Sequence, residues 1–126
     1  MAKKILLVDD DHDLVDSMKS IVESGGYDVE VAYDGSECLE KVNETKPDLI
    51  VLDVMMPGMD GWEVCRELKD APATQDIPII MLTAVGSQVR TTKYTHEGGM
   101  ETESDDYFPK PVKPADLMTR IKKLVG

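Results

Sequence analysis

The chain has no long hydrophobic segment, only two cysteines and an excess of acidic over basic residues. The one apolar run near the start, residues 5–8, is bounded by charges, which predicts neither a signal peptide nor a membrane span. Cys38 and Cys65 lie in helix-like segments among apolar neighbours, so reduced, buried thiols and a cytoplasmic location are expected. The formal net charge of −11 argues against direct nucleic-acid binding and against attachment to an anionic membrane.

Length and composition predict a single globular domain over residues 1–126. The chain is 41% hydrophobic and 31% charged, which is ordinary for a globular protein. A domain of this length buries roughly two-thirds of its unfolded surface, so neither a disulfide nor a structural metal is needed for folding. No linker or second domain follows the last helical pattern. Unless the sequence is a piece of a longer protein, its output is therefore expected to be a binding event made by this domain.

The most informative stretch is an apolar run that ends in an acid and a turn. Residues 49–52 are four consecutive apolar residues, typical of a strand buried on both faces. Asp53 follows at the carboxyl end of this strand, and Pro57-Gly58 and Asp60-Gly61 indicate turns directly after it. Ligands of parallel sheets bind beyond the carboxyl ends of the strands, so Asp53 is a site candidate, although such an acid can also simply end a strand.

Strand-like and helix-like segments alternate along the whole chain, which predicts βαβ units and a parallel sheet between layers of helices. The predicted strands cover residues 5–8, 27–31, 49–52, 77–82 and 107–108. The predicted helices cover residues 13–24, 36–42, 62–70 and 114–125, with a poorly patterned and marginal helix within 86–104. The alternation of residues 27–31 between apolar and polar indicates a strand at an edge of the sheet.

Polar residues follow four of these predicted strands. Crossovers between parallel strands are right-handed in nearly all cases, so successive strand ends open on the same edge of the sheet. The following side chains should therefore converge there: Asp9, Asp10, Asp53, Thr83 and Lys110.

Three carboxylates at one place require a cation, because two like charges about 4 Å apart repel by roughly 4 kcal/mol at an effective dielectric near 20. Oxygen ligands favour Mg²⁺, which keeps an open position for a phosphoryl group. A carboxylate such as Asp53 can accept that group as an aspartyl phosphate, with Thr83 and Lys110 contacting its oxygens. Asp9 and Asp10 could instead be simple helix caps, and Asp11 is expected to be one.

A calcium-binding loop is excluded for the same acidic segment. Asp9, Asp11 and Asp13 imitate its first positions. Leu14 stands where such a loop requires glycine, however, and Ser20 stands where it requires glutamate.

Taken together, these motifs resemble the receiver domain of bacterial two-component response regulators. The resemblance rests on Val8-Asp9-Asp10, on the block of residues 52–61, on Leu82-Thr83-Ala84 and on residues 105–111. It implies a flavodoxin-like, doubly wound sheet of five parallel strands in the order 2-1-3-4-5, with helices on both faces.

The resemblance also implies roles for individual residues. Asp53 is similar to the phosphoacceptor, Asp10 and Asp53 to direct Mg²⁺ ligands, Asp9 to the residue that orients a metal-bound water, and Met55 to a backbone carbonyl ligand. Thr83 and Lys110 resemble the pair that contacts the phosphoryl group, and Tyr107 resembles the aromatic switch, although a tyrosine there could also be plain core.

The function implied is a phosphorylation-dependent switch in a phosphorelay. The phosphoryl group would come from a sensor histidine kinase or a histidine phosphotransfer protein, and the face around residues 86–110 would then change and bind a downstream protein. Such a domain is a phosphoacceptor that promotes its own phosphorylation and dephosphorylation, and is not an enzyme with a separate substrate. Two alternatives remain open: a degenerate receiver used for docking, and a small phosphatase with an aspartyl-phosphate intermediate.

Overall fold

The structure is a computed structural model that describes residues 2–53, 61–83, 106–109 and 113–125, with the backbone alone described at 83 and 106–109. Strands and helices alternate along the described chain, as the sequence predicts. In order, the elements are β1 (Lys4–Val8), α1 (His12–Ser24), β2 (Asp28–Ala32), α2 (Gly35–Thr45), β3 (Leu49–Asp53), α3 (Gly61–Asp70), β4 (Ile79–Thr83), β5 (Asp106–Pro109) and a C-terminal helix (Pro114–Val125).

The five strands form one parallel sheet in the order β2-β1-β3-β4-β5. This confirms the flavodoxin-like order, and it confirms that the alternating strand β2 lies at an edge. In the centre of the sheet, Val8 of β1 lies beside Leu52 of β3. The residue after β1 is therefore level with Asp53, the last residue of β3.

The central strands are buried on both faces, which explains their uninterrupted apolar runs. In β1, Leu6 and Val8 face one helical layer, whereas Ile5 and Leu7 face the other. The first layer is supplied by α2 and α3, including Cys38, Val42, Trp62, Val64, Cys65 and Leu68. The second is supplied by α1 and the C-terminal helix, including Met18, Val22, Leu117 and Ile121. The helices thus cover both faces of the sheet, as expected for a doubly wound fold.

Side-chain caps fix where the first two helices begin. Asp11 is the N-cap of α1, as predicted, and its carboxylate accepts a hydrogen bond from the Leu14 N–H at 3.1 Å. Asp34 caps α2 in the same way through the Glu37 N–H. A cap of this kind stabilises a helix by about 1 kcal/mol. Helix α2 covers Gly35–Thr45 and is longer than the predicted 36–42. The prediction followed the apolar residues, and the last residues of the helix are polar.

The fourth strand begins two residues later than predicted. Pro78 has no N–H to donate to a neighbouring strand, although its carbonyl accepts a hydrogen bond from the Ile50 N–H at 3.0 Å. Regular pairing with β3 therefore starts at Ile79, opposite Ile50. The marginal helix predicted within residues 86–104 lies outside the described residues. Among the described residues, none of the helices has the length and apolar character of a membrane span.

The buried thiol of Cys38 provides a test of the packing between α2 and the sheet. Burial, with a smaller contribution from the charge of Asp34, raises the pKa of this thiol from 9.0 to about 12. The native thiol therefore stays protonated near pH 8 and inert to maleimide. We expect Cys38 to be modified only after denaturant is added, as measured by peptide mass spectrometry.

The same pKa shift predicts how stability depends on pH. The unfolded thiol loses its proton near pH 9, whereas the folded thiol keeps it to about pH 12. The contribution of Cys38 is therefore fully present below pH 9 and is lost as the pH rises toward 12. Denaturant titrations should show a smaller loss of stability over this interval in Cys38→Ala than in the unmodified protein. Equal losses, or rapid native labelling, would contradict the burial of Cys38.

Candidate functional site

Three aspartates meet at the carboxyl edge of the sheet. Each offers a carboxylate oxygen, and the oxygens of Asp9, Asp10 and Asp53 lie within 4.8 Å of one another. Asp9 is fully buried and Asp53 is 1% exposed, whereas Asp10 is exposed to solvent. The structure thus brings together the three acids that the topology argument predicts to converge, with one of them open to an incoming ligand.

The loop that carries two of these acids is held by hydrogen bonds at several points. The Asp9 N–H donates to the Ala32 carbonyl at 3.2 Å, which extends the pairing of β1 with β2 beyond Val8. The Asp9 carboxylate accepts from the Asp11 N–H at 3.0 Å. Asp11 in turn caps α1. Asp10 therefore lies between two residues whose positions are fixed, at the start of a helix.

The donor set fits a small divalent cation. Two of the three carboxylates are buried, and a buried negative charge is costly unless a positive charge compensates it. The amino terminus of α1 supplies only a partial positive charge, worth typically about 0.3–1 kcal/mol to a nearby anion. Hard carboxylate oxygens with an open, solvent-facing side are the ligands that Mg²⁺ prefers. The donor set of this cluster therefore fits Mg²⁺.

The other predicted site residues are described only in part. The backbone of Thr83 lies at the carboxyl end of β4, one residue beyond Leu82, which pairs with Asp53. On β5, Tyr107 pairs with Met81, and Pro109 pairs with Thr83. The strand order thus brings Thr83 to the same edge as the acids. Met55 and Lys110, and the face predicted around residues 86–110 apart from its β5 backbone, lie outside the described residues.

An aromatic pair beside the acids was not predicted from the sequence. The rings of His12 and Tyr33 stack with their centroids 3.9 Å apart and their planes 11° from parallel. His12 opens α1 and Tyr33 follows β2, so the stack joins the acid-bearing loop to the neighbouring strand end. The position of Tyr33 shortly after the strand predicted over residues 27–31 is the signal that could have placed it at this edge.

A second concave region lies at the end of the sheet where the strands begin, opposite the acids. It has a volume of about 470 Å³ and is lined by Gly25, Gly26, Tyr27, Met118 and Lys122, among others. Gly25 and Gly26 directly follow α1, and Gly26 has the positive φ of 92° that favours glycine after a helix. No cluster of acids lines this groove, so the carboxyl edge is the better candidate for chemistry.

Comparison with known proteins agrees with the geometry of this edge. The family profile of the response regulator receiver domain matches residues 5–122. The signal receiver domain of a signal transduction histidine kinase from Syntrophus aciditrophicus is similar, with 38% identity, a TM-score of 0.87, and coverage of 98% of this chain and 90% of that one.

Two further solved structures have the same fold. The N-terminal domain of a response regulator receiver protein from Methanoculleus marisnigri shares 40% identity, with a TM-score of 0.73 and coverage of 98% and 96% of the two chains. The chemotaxis protein CheY4 of Vibrio cholerae shares 27% identity, with a TM-score of 0.84 and coverage of 98% and 99%. Because the family profile spans residues 5–122 and the two relatives at 38% and 40% identity are matched over 90% and 96% of their own length, this chain belongs to the response regulator receiver domain family.

Proposed function

We propose that this receiver domain is a phosphorylation-dependent switch in which Asp53 accepts a phosphoryl group. The observation that carries the proposal is the position of Asp53, at the end of the central strand and within 4.8 Å of two further carboxylates. The donor would be a phosphohistidine of a sensor kinase or of a phosphotransfer protein, the partners with which receiver domains interact. The downstream target would be a protein that recognises the phosphorylated form.

The transfer needs positioning and charge neutralisation more than acid–base chemistry. A carboxylate oxygen of Asp53 forms the new P–O bond while the P–N bond to the donor imidazole breaks. The bonding pair stays on the imidazole nitrogen, which takes a proton from solvent. Asp10, Asp53 and the Met55 carbonyl would hold Mg²⁺, and Asp9 would orient a water beside it; the cation would supply charge neutralisation for the phosphoryl oxygens.

The remaining roles follow from the family pattern and from the backbone of the sheet. We assign the Thr83 hydroxyl and the Lys110 ammonium to the phosphoryl oxygens, one as a hydrogen-bond donor and the other as a charge. Their closure on the phosphorylated Asp53 would draw in the face around residues 86–110, with Tyr107 as the aromatic switch. In this scheme the domain also promotes loss of its own phosphoryl group by hydrolysis.

Intact-protein mass spectrometry tests the proposal. Incubation with Mg²⁺ and an acyl phosphate should add the mass of one phosphoryl group, and EDTA should prevent the addition. Asp53→Asn should abolish it, whereas Asp48→Asn, which alters an exposed acid at the opposite end of β3, should not. A docking module without chemistry would gain no mass. A phosphatase would consume the donor catalytically without holding a stoichiometric phosphoryl group.

A further inference from the structure

We infer that the stacked pair of His12 and Tyr33 positions Asp10 for Mg²⁺ binding, so that both rings are positioning residues of the metal site. The inference rests on the proposed function, because it concerns the same cluster of acids. Its physical basis is the contrast between the three acids. Asp9 and Asp53 are buried in the sheet, but Asp10 is exposed on a loop and must be held near them against like-charge repulsion.

The acid-bearing loop is anchored on both sides of Asp10. On one side, Asp9 is fixed by its hydrogen bonds to Ala32 and Asp11. On the other, His12 is exposed to solvent and its ring lies against the face of Tyr33. Without the stack, the side toward α1 would depend mainly on the helix cap made by Asp11. The stack therefore restrains the loop on the α1 side of Asp10.

Tyr33 is itself held in place by the start of α2. Its backbone N–H donates to a carboxylate oxygen of Glu37 at 2.7 Å. The neighbouring Asp34 caps the same helix through the Glu37 N–H at 2.8 Å. Tyr33 is also partly buried, whereas His12 is exposed. Tyr33 is thus the more restrained residue of the pair, and the exposed imidazole of His12 packs against its ring.

The link to metal binding comes from the charge of the cluster. Without a cation, repulsion from the two buried carboxylates favours loop conformations that move Asp10 outward. The stack opposes that displacement, so the loop is closer to the geometry that ligation needs. If either ring is removed, more of the loop that carries Asp10 must become ordered when Mg²⁺ binds. The free-energy cost of that ordering lowers the affinity for Mg²⁺.

Calorimetric titration of the full chain with Mg²⁺ tests the inference through a set of matched variants. His12→Ala and Tyr33→Ala should each raise the Mg²⁺ dissociation constant by about three- to tenfold, the range expected from losing one aromatic pair. The double variant should be no weaker than the weaker single variant, because each change already removes the same contact. His12→Phe and Tyr33→Phe keep a ring and should bind Mg²⁺ as the unmodified protein does.

Thr74→Val controls for a general loss of stability. Thr74 is a buried residue of the connection between α3 and β4, where the strands of the sheet begin, and its hydroxyl donates to the Leu68 carbonyl. This variant should be less stable in denaturant but unchanged in Mg²⁺ affinity. A dissociation constant within twofold of the unmodified value in either alanine variant, or additive losses in the double variant, would overturn the inference. If the unmodified protein fails to bind Mg²⁺, the proposed function itself is wrong.

Discussion

Asp10→Ala should lower the affinity of the domain for Mg²⁺ by at least about tenfold. Removing a residue that only hydrogen-bonds to a metal ligand already lowers metal affinity by about that factor, and Asp10 is proposed to be a ligand itself. Asp10 is the exposed member of the cluster, so its loss deletes a proposed direct ligand without opening a cavity in the core. Phosphorylation by an acyl phosphate should fall in parallel, because the same cation serves the transfer. Calorimetry and intact mass measure the two effects on the same preparation.

Asp16→Ala is the matched control for this experiment. Asp16 is another exposed acid, on α1 and outside the cluster, and its removal changes the net charge by the same amount. It should leave both Mg²⁺ affinity and phosphorylation close to their original values. An unchanged Mg²⁺ titration in Asp10→Ala would contradict the assignment of the metal site, whatever the phosphorylation result.

Asp53→Asn should make the metal-free domain more stable and should greatly reduce its stabilisation by Mg²⁺. In EDTA, the carboxylate oxygens of Asp9 and Asp53 lie within 4.8 Å of each other, so two full charges there repel by roughly 3.5 kcal/mol or more at an effective dielectric near 20. The substitution removes that repulsion, and a net gain of even 1 kcal/mol raises the melting temperature of a domain this size by about 3–6 °C. Mg²⁺ at about 100 times its dissociation constant should stabilise the unmodified protein by roughly 2.7 kcal/mol, and the variant far less.

Thermal unfolding followed by circular dichroism, with EDTA and then with Mg²⁺, measures both parts of this prediction. Asp76→Asn is the control, since Asp76 is an exposed acid in the connection before β4, away from the cluster. It should change neither the metal-free melting temperature nor the Mg²⁺-dependent increase. If Asp53→Asn lowers the metal-free melting temperature and keeps the full Mg²⁺ response, the three acids do not form one electrostatic unit.

The sequence predicts the elements of the sheet because burial leaves a pattern. Residues 5–8 and 49–52 are apolar without interruption since both of their faces are covered by helices. The strand β2 alternates because it is an edge strand. The spatial order of the strands leaves no such pattern in the composition, so it could be expected only from the resemblance to a family.

The candidate site was predictable to the extent that it follows from strand ends. Asp9, Asp10 and Asp53 end parallel strands, and parallel strands end at one edge. Tyr33 follows β2 and therefore lies at the same end of the sheet, where its ring stacks on His12. Neither residue is an acid, so the argument from clustered carboxylates did not include them. The start of β4 was predicted two residues too early. The prediction used hydrophobicity alone, which does not show that Pro78 has no N–H for pairing with a neighbouring strand.

Chemical trapping of the phosphorylated residue tests the central claim most directly. After incubation with an acyl phosphate and Mg²⁺, borohydride reduces an aspartyl phosphate to homoserine, which peptide sequencing by mass spectrometry can locate. We predict homoserine at position 53 and at no other aspartate. Homoserine at position 9 or 10, or an acid-stable phosphate on a serine or threonine, would contradict the assignment of Asp53 as the phosphoacceptor.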